Sequence, residues 1–215
     1  LREAVEISRE EMVKRLRSHY GIKDEKTLGV MESVPRHFFV PQALQAQAYG
    51  DHALPIAGGQ TISQPFIVAR MTELLEIEPT ARVLEIGAGS GYQTAVLASI
   101  ARAVYAIERL PELANEAQNR LRQFGFRNVT LRSGDGTNGW EVYSPYDGIL
   151  VAAGGPEVPE PLLRQLKPGG KLVIPIGQEK AAQRLTRYTR EQMNYTVEDF
   201  GPCSFVPLIG RHGWR

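Results

Sequence analysis

Val83-Leu84-Glu85-Ile86-Gly87-Ala88-Gly89-Ser90-Gly91-Tyr92 runs from an apolar stretch straight into three alternating glycines. Val83, Leu84 and Ile86 make the short, partly β-branched run expected of a strand covered on both faces. Glycine then permits the tight backbone turn and the close approach of a ligand. Thr94, Ala95, Val96, Leu97 and Ile100 continue the pattern as a helix predicted over residues 92–101. A glycine turn joining a strand to a helix N-terminus makes a nucleotide site. Dinucleotide-binding turns read G-x-G-x-x-G, and their third glycine falls here on Tyr92. The pattern present is E-x-G-x-G-x-G, starting at Glu85.

Outward from that turn, strands and helices alternate. Strands are expected over residues 81–86, 103–107 (ending at Glu108), 128–132, 146–151 and 171–176. Helices are expected over 66–75 and 92–101, after Pro111, and over 161–166. This alternation predicts an α/β fold with a doubly wound, mostly parallel sheet. Residues 184–190, 194–200 and 203–208 read as antiparallel strands added at one edge. Upstream, Ser8-Arg9-Glu10-Glu11 has the form of a capping box opening a helix with Met12, Val13 and Leu16, ended by Gly21. Asp24 is placed to cap a second helix that stops before Pro35, and residues 42–49 suggest a third. Pro35-Arg36-His37-Phe38-Phe39-Val40-Pro41 reads as a packed connector. No composition break interrupts the chain. Residues 1–215 therefore read as one domain: a helical elaboration over 1–60, a cofactor-binding core over 61–177 and edge strands over 178–215.

With 42% hydrophobic and 23% charged residues, the chain has the mix of an ordinary globular protein. Its net charge of +1 gives no field that would draw a polyanion, so neither nucleic acid nor a membrane is an expected partner. No apolar run is long enough to span a bilayer. Leu1-Arg2-Glu3-Ala4 has neither the basic nor the apolar part of a signal peptide. The single Cys203 excludes an internal disulfide and any multi-cysteine metal centre. His19, His37, His52 and His212 show no spacing that puts two on one helical face. The expectation is a metal-free cytoplasmic protein.

In open α/β sheets the ligand lies beyond the carboxyl ends of the strands, at the switch point. Glu108 ends the second strand at the distance from the glycines where such folds place a ribose-binding acid. An acid opening a helix is the bland alternative. Gly134-Asp135-Gly136, after the third strand, sets Asp135 against an adenine amino group or makes an ordinary Asp-Gly turn. Glu85 sits beneath the glycine turn, where it satisfies loop amides or is felt by the cofactor. Asp147 reads as structural. Gly58-Gly59-Gln60-Thr61-Ile62-Ser63-Gln64-Pro65 is the second unusual stretch. Helix capping by Ser63 or Gln64 explains one polar residue, not four behind paired glycines, so this reads as a binding loop.

The glycine motif resembles motif I of the class I S-adenosylmethionine-dependent methyltransferases. Together with Gly59–Pro65 it makes the chain similar to the protein-L-isoaspartate O-methyltransferase family in its bacterial form. Further support comes from Pro35–Pro41, Gly134–Gly136, Leu166–Gly177 and Phe205–Leu208, so the likeness runs from Ser8 to Leu208. The resemblance implies a Rossmann-like fold, S-adenosyl-L-methionine as cofactor with S-adenosyl-L-homocysteine as product, and no metal. It implies Ser63 as the catalytic residue. Cofactor positions fall on Ile62, Ser63, Gln64, Glu85, Gly87, Gly89, Gly91, Glu108, Asp135 and Gly136. Substrate positions fall on Gln60, Thr61, Ser63, Val206, Pro207 and Leu208. Ile209 stands where some relatives carry a cofactor-binding threonine. The implied substrates are isoaspartyl peptides and proteins, whose free carboxylate is methylated by a monomeric enzyme; the ester then closes to a succinimide, which starts repair.

Residue chemistry is consistent with that reading. A carboxylic acid with a pKa of about 4 is already ionised at neutral pH, so methyl transfer to it needs no general base. No His/Asp pair beside the glycines offers one. Among rivals, an amino-directed nucleic-acid methyltransferase needs a polar residue and an aromatic where Ala152-Ala153-Gly154-Gly155-Pro156 stands. Cytosine-C5 chemistry needs a cysteine nearer than Cys203, and Tyr92 disfavours NAD. A fold that binds S-adenosylmethionine without catalysis is the non-enzyme alternative, opposed by Ser63 beside an intact glycine turn and Glu108.

Overall fold

The computed structural model describes residues 2–179 and 182–215. Two helices, α1 (Arg2–Ser18) and α2 (Glu25–Ser33), open the chain. Asp24 caps α2 by accepting from the backbone N–H of Lys26 and Thr27, both at 3.3 Å. A small hairpin of β1 (Leu54–Pro55) and β2 (Thr61–Ile62) precedes α3 (Pro65–Leu75). The alternating part then runs β3 (Arg82–Ile86), α4 (Tyr92–Ile100), β4 (Ala103–Glu108), α5 (Pro111–Gln123) and β5 (Val129–Ser133). It continues with β6 (Tyr146–Val151), α6 (Glu160–Arg164), β7 (Leu166–Glu179), β8 (Ala182–Arg190) and β9 (Tyr195–Cys203).

The main sheet has the order β5-β4-β3-β6-β7-β8-β9. Strands β3 to β7 pair in parallel, whereas β8 and β9 are antiparallel. Strand order reverses between β3 and β6, which opens a crevice beyond their carboxyl ends. Alternation along β3 divides the core. Leu84 and Ile86 pack with Ile149, Val151, Leu162 and Leu172 on one face of the sheet. Val83 packs with Met71, Leu97 and Val173 on the other. Met12, Leu16, Leu28 and Met31 from α1 and α2 join Val96 and Ala117 in a third cluster, which seats the N-terminal helices on α4 and α5. Each such fully buried Leu, Ile, Val or Met side chain stabilises the fold by about 1.5–3 kcal/mol before conformational entropy is counted.

Several local expectations are corrected. Helix α1 runs through Ser8 rather than starting there, because no Gly or Pro between residues 2 and 8 stops it. Residues 42–47 form a 3-10 segment instead of an α-helix. No side chain caps α3 at Gln64. Strand β7 starts at Leu166 and absorbs the Pro168-Gly169-Gly170 turn as an irregularity in its pairing with β6. Past Cys203 there is no further edge strand. Pro207 makes only an isolated bridge to Gly154, because that segment leaves the sheet edge and returns to the end of β6.

Candidate active site

Between β3 and α4 the chain must turn beneath any ligand. Gly87, Gly89 and Gly91 take φ of 87°, 53° and 87°, the left-handed region that glycine occupies without strain. Gly87 N–H donates to Ile107 O and Ala152 N–H to Ile86 O, both at 2.8 Å, so the ends of β4 and β6 hold the turn from either side. Gly91 then caps α4.

Glu108 secures the turn from β4. Its Oε2 accepts from Gly89 N–H at 2.9 Å and its Oε1 from Leu110 N–H at 3.0 Å. A carboxylate has about four lone-pair positions, so two stay available to hydroxyl donors. Glu108 lines a cavity whose floor is Ile86–Ser90, with Gly136 and Ala152 at the neighbouring strand ends. Opposite stand Gln60–Ser63 of the hairpin loop, and Val206–Ile209 close the rim. The hairpin reaches over because Gly58 and Gly59 are both left-handed at its tip and Ile62 pairs with Leu54. Ser63 is partly exposed, and its hydroxyl makes no hydrogen bond among the described residues.

Most of the expected site residues meet at this cavity: Gln60, Thr61, Ile62, Ser63, Gly87, Gly89, Glu108, Gly136, Val206, Pro207 and Leu208 all line it, as does Ile209. Gln64, Glu85, Gly91 and Asp135 do not. Gln64 reaches Tyr20 Oη at 3.5 Å. Asp135 accepts from Thr137 N–H at 2.9 Å, from the Thr137 hydroxyl at 2.7 Å and from Arg211 N–H at 2.8 Å. Partial burial raises its pKa, but those hydrogen bonds outweigh it and hold the carboxyl below the usual range. Glu85 is fully buried on the α4 side of β3, and neither of its oxygens has a hydrogen-bond partner among the described residues. The loop amide at Gly89 is served by Glu108 instead. Burial pushes Glu85 up to about 8, against the pull of the nearby Thr94 hydroxyl and with some help from the Glu108 charge.

Three supporting residues escaped the sequence reading. Gln183 clamps Phe205 with a reciprocal pair, Nε2 donating to Phe205 O at 3.1 Å and Oε1 accepting from Phe205 N–H at 2.8 Å. Trp214 Nε1–H donates to Gly154 O at 2.9 Å and fastens the rim from outside. Arg36 is wholly buried and is paired with no carboxylate among the described residues. Its Nε donates to Ala48 O and its Nη2 to Ser63 O, both at 2.7 Å. Tyr92, which lines the cavity, lies beneath the guanidinium at 4.9 Å. Burial pushes the Arg36 pKa down to about 10. Only Arg36 left a signal, a charge inside an otherwise aromatic and proline-bounded connector.

Among the described residues no group of three His, Cys, Asp or Glu side chains is placed to hold a metal ion. None of their helices is long and apolar enough to cross a membrane.

A five-strand parallel core, a left-handed glycine turn at the switch point and an acid on the next strand define a class I methyltransferase fold. The chain belongs to the protein-L-isoaspartate(D-aspartate) O-methyltransferase family, whose model matches residues 7–213. It is 51% identical over 210 residues to protein-L-isoaspartate O-methyltransferase 2 of Pelobacter propionicus, covering 97% of this chain and 93% of the relative. It is 49% identical to the Methanospirillum hungatei protein-L-isoaspartate O-methyltransferase, over 96% and 95% of the two chains. A solved protein-L-isoaspartate O-methyltransferase superposes with a TM-score of 0.85 at 29% identity, over 95% of this chain and 67% of that one. A Plasmodium falciparum structure named for the same activity, in complex with S-adenosyl-L-homocysteine, gives 0.78 at 25% identity, over 94% and 98%.

Proposed function

We propose that this protein transfers a methyl group from S-adenosyl-L-methionine to the free carboxylate of L-isoaspartyl residues in damaged peptides and proteins. The observation that carries the reading is one cavity where the polar hairpin loop Gln60–Ser63 faces the glycine turn and Glu108. The residues fit the cofactor: the left-handed glycines bring bare backbone to the cavity floor, and Glu108 keeps acceptor capacity suited to a ribose diol. Added at Gly136, a Cβ would lie 2.4 Å from Ile86 Cγ2, so the strand ends crowd together there and only glycine fits. When bound, S-adenosyl-L-methionine supplies an electrophilic methyl group on a sulfonium.

The protein's work is positioning. Ser63 presents a hydroxyl that orients an already ionised carboxylate without pairing its charge. A neutral partner suits a reaction in which opposite charges cancel, because tight ion pairing would stabilise the ground state instead. Gln60, Thr61 and the backbone of Val206–Leu208 grip the flanking peptide, and the rim excludes water. Gln64, Glu85, Gly91 and Asp135 act from behind the cavity wall. The near-zero net charge supports an enzyme that acts on peptides rather than nucleic acid or membranes, and we read it as a cytoplasmic monomer.

An isoaspartyl carboxylate stands one methylene closer to the main chain than a normal aspartyl one. A displacement of about 1 Å from in-line geometry costs on the order of a hundredfold in rate. Matched peptides assayed with labelled cofactor should therefore give a base-labile methyl ester on the isoaspartyl peptide and little on its aspartyl twin. Equal turnover of both, or a base-stable product, would sink the assignment.

A further inference from the structure

Arg36 is an ionised group placed deep in the protein, and among the described residues no carboxylate pairs with it. Two carbonyls and a ring face hold it, and its Nη1 is buried without a hydrogen-bond partner among the described residues. Asp51, the acid whose field it feels, is bonded to the Tyr20 hydroxyl. Folding alone does not call for a charge here, since an apolar side chain of similar length avoids the desolvation cost. The guanidinium does something such a side chain does not. Its Nε and Nη2 form one planar edge, and that edge spans Ala48 O and Ser63 O, carbonyls 15 residues apart in the chain. Its face rests on Tyr92, the first residue of α4, which directly follows the glycine turn. Arg36 thus joins the two walls of the cavity: the hairpin loop that carries Ser63 and the turn that faces the cofactor.

We propose that Arg36 is a positioning residue for methyl transfer, fixing the main chain of Ser63 against Tyr92 so that carboxylate and methyl donor meet in line. The inference rests on the reading of the cavity given above and adds a residue that touches neither reactant. Its charge lies one hydrogen bond from the Ser63 main chain, so it also favours an anion bound beside that residue. Lysine keeps the charge but has no planar edge to bridge both carbonyls. Glutamine keeps a donor and loses the charge.

The test compares R36K and R36Q with the unaltered chain, each checked for folding by circular dichroism and assayed below its own melting temperature. With an isoaspartyl peptide, kcat should fall roughly ten- to a hundredfold in both variants. KM should stay within about twofold in R36K and rise further in R36Q, as expected if the charge contributes to ground-state binding. The Kd for S-adenosyl-L-homocysteine should change less than about threefold, because Glu108 and the glycine turn are untouched. Should R36Q fail to fold, R36K carries the test through its kcat. Wild-type kcat in R36K, however far its Tm drops, overturns the proposal and shows a purely structural arginine. S63A separates this from the serine reading. If S63A keeps wild-type kcat/KM, the hydroxyl role falls, and a loss in R36K then supports action through the Ser63 main chain. If S63A is impaired, the double variant should lose no more than the worse single one, whereas losses that multiply place Arg36 on another path and overturn it.

Discussion

Two glutamates near the glycine turn have opposite surroundings, and their chemistry follows from that. Glu108 meets backbone donors at Gly89 and Leu110 and lines the cavity. Removing it in E108A should weaken S-adenosyl-L-methionine binding by about 1.5–3 kcal/mol through lost charge-assisted hydrogen bonds. Calorimetry on the folded variant checks this, and wild-type affinity would refute the ribose assignment. Glu85 lies one layer deeper, with no hydrogen-bond partner for either oxygen among the described residues and a pKa raised from 4.5 to about 8. Below about pH 4.5 folded and unfolded chains both hold that proton, and burial of the neutral acid carries no charge penalty. Between there and about pH 8 the unfolded chain has lost the proton while the folded one keeps it, so stability falls with rising pH. Above 8 the penalty is constant, at most roughly 5 kcal/mol from the size of the shift. Glutamine mimics the protonated acid without titrating. E85Q should therefore match the wild type near pH 4.5 and exceed it in Tm by a margin that widens up to pH 8; a margin independent of pH would show that Glu85 does not titrate as described.

At the scale of elements, the rim Val206–Ile209 is held more by its neighbours than by its own structure. Gly154 N–H donates to Val206 O and Leu208 N–H to Gly154 O, both at 2.8 Å, while Trp214 adds its indole N–H to the same Gly154 carbonyl. W214F keeps an aromatic ring but loses the indole N–H and the ring fused to it; the lost hydrogen bond alone is worth about 0.5–1.5 kcal/mol. Peptide KM should rise severalfold with cofactor Kd unchanged, and steady-state kinetics with an unaltered KM would show that the rim needs no such fastening. The rim also marks where the sequence stopped being legible. Apolar periodicity and glycine spacing identified β3, β4, β6 and α4 to within a residue or so, because burial on both faces leaves a local pattern. They also placed Glu108, since strand end and spacing are local properties. Extended chain in the tail carries no such signature: Val206–Leu208 looks like a strand, and only its docking beside Gly154 decides otherwise. Gln183 and Trp214 act across 22 and 60 residues of chain, on backbone atoms that no side-chain pattern encodes. Ser8 misled for the opposite reason. A capping motif is a local signal, and an uninterrupted helix before it overrides the signal.

Across the whole molecule, the cavity belongs to no single layer. Its floor is the sheet, one wall comes from the N-terminal hairpin and the rim from the last residues of the chain. A ligand seated there couples parts that are far apart in sequence, and its binding energy adds to the stability of all of them. At a hundred times its Kd, S-adenosyl-L-homocysteine should stabilise the fold by about 2.7 kcal/mol. For a chain of this size that is a rise in Tm of roughly 5–10 °C. The distribution of the effect is the sharper test. Hydrogen exchange should slow at the glycine turn, and also at residues 58–63 and 206–214, which have few regular backbone hydrogen bonds of their own. The turn between β8 and β9, at the far edge of the sheet, should exchange as before. Protection confined to residues 86–92 and 108 would mean that the cofactor binds the sheet alone, leaving hairpin and rim to be ordered only when peptide arrives.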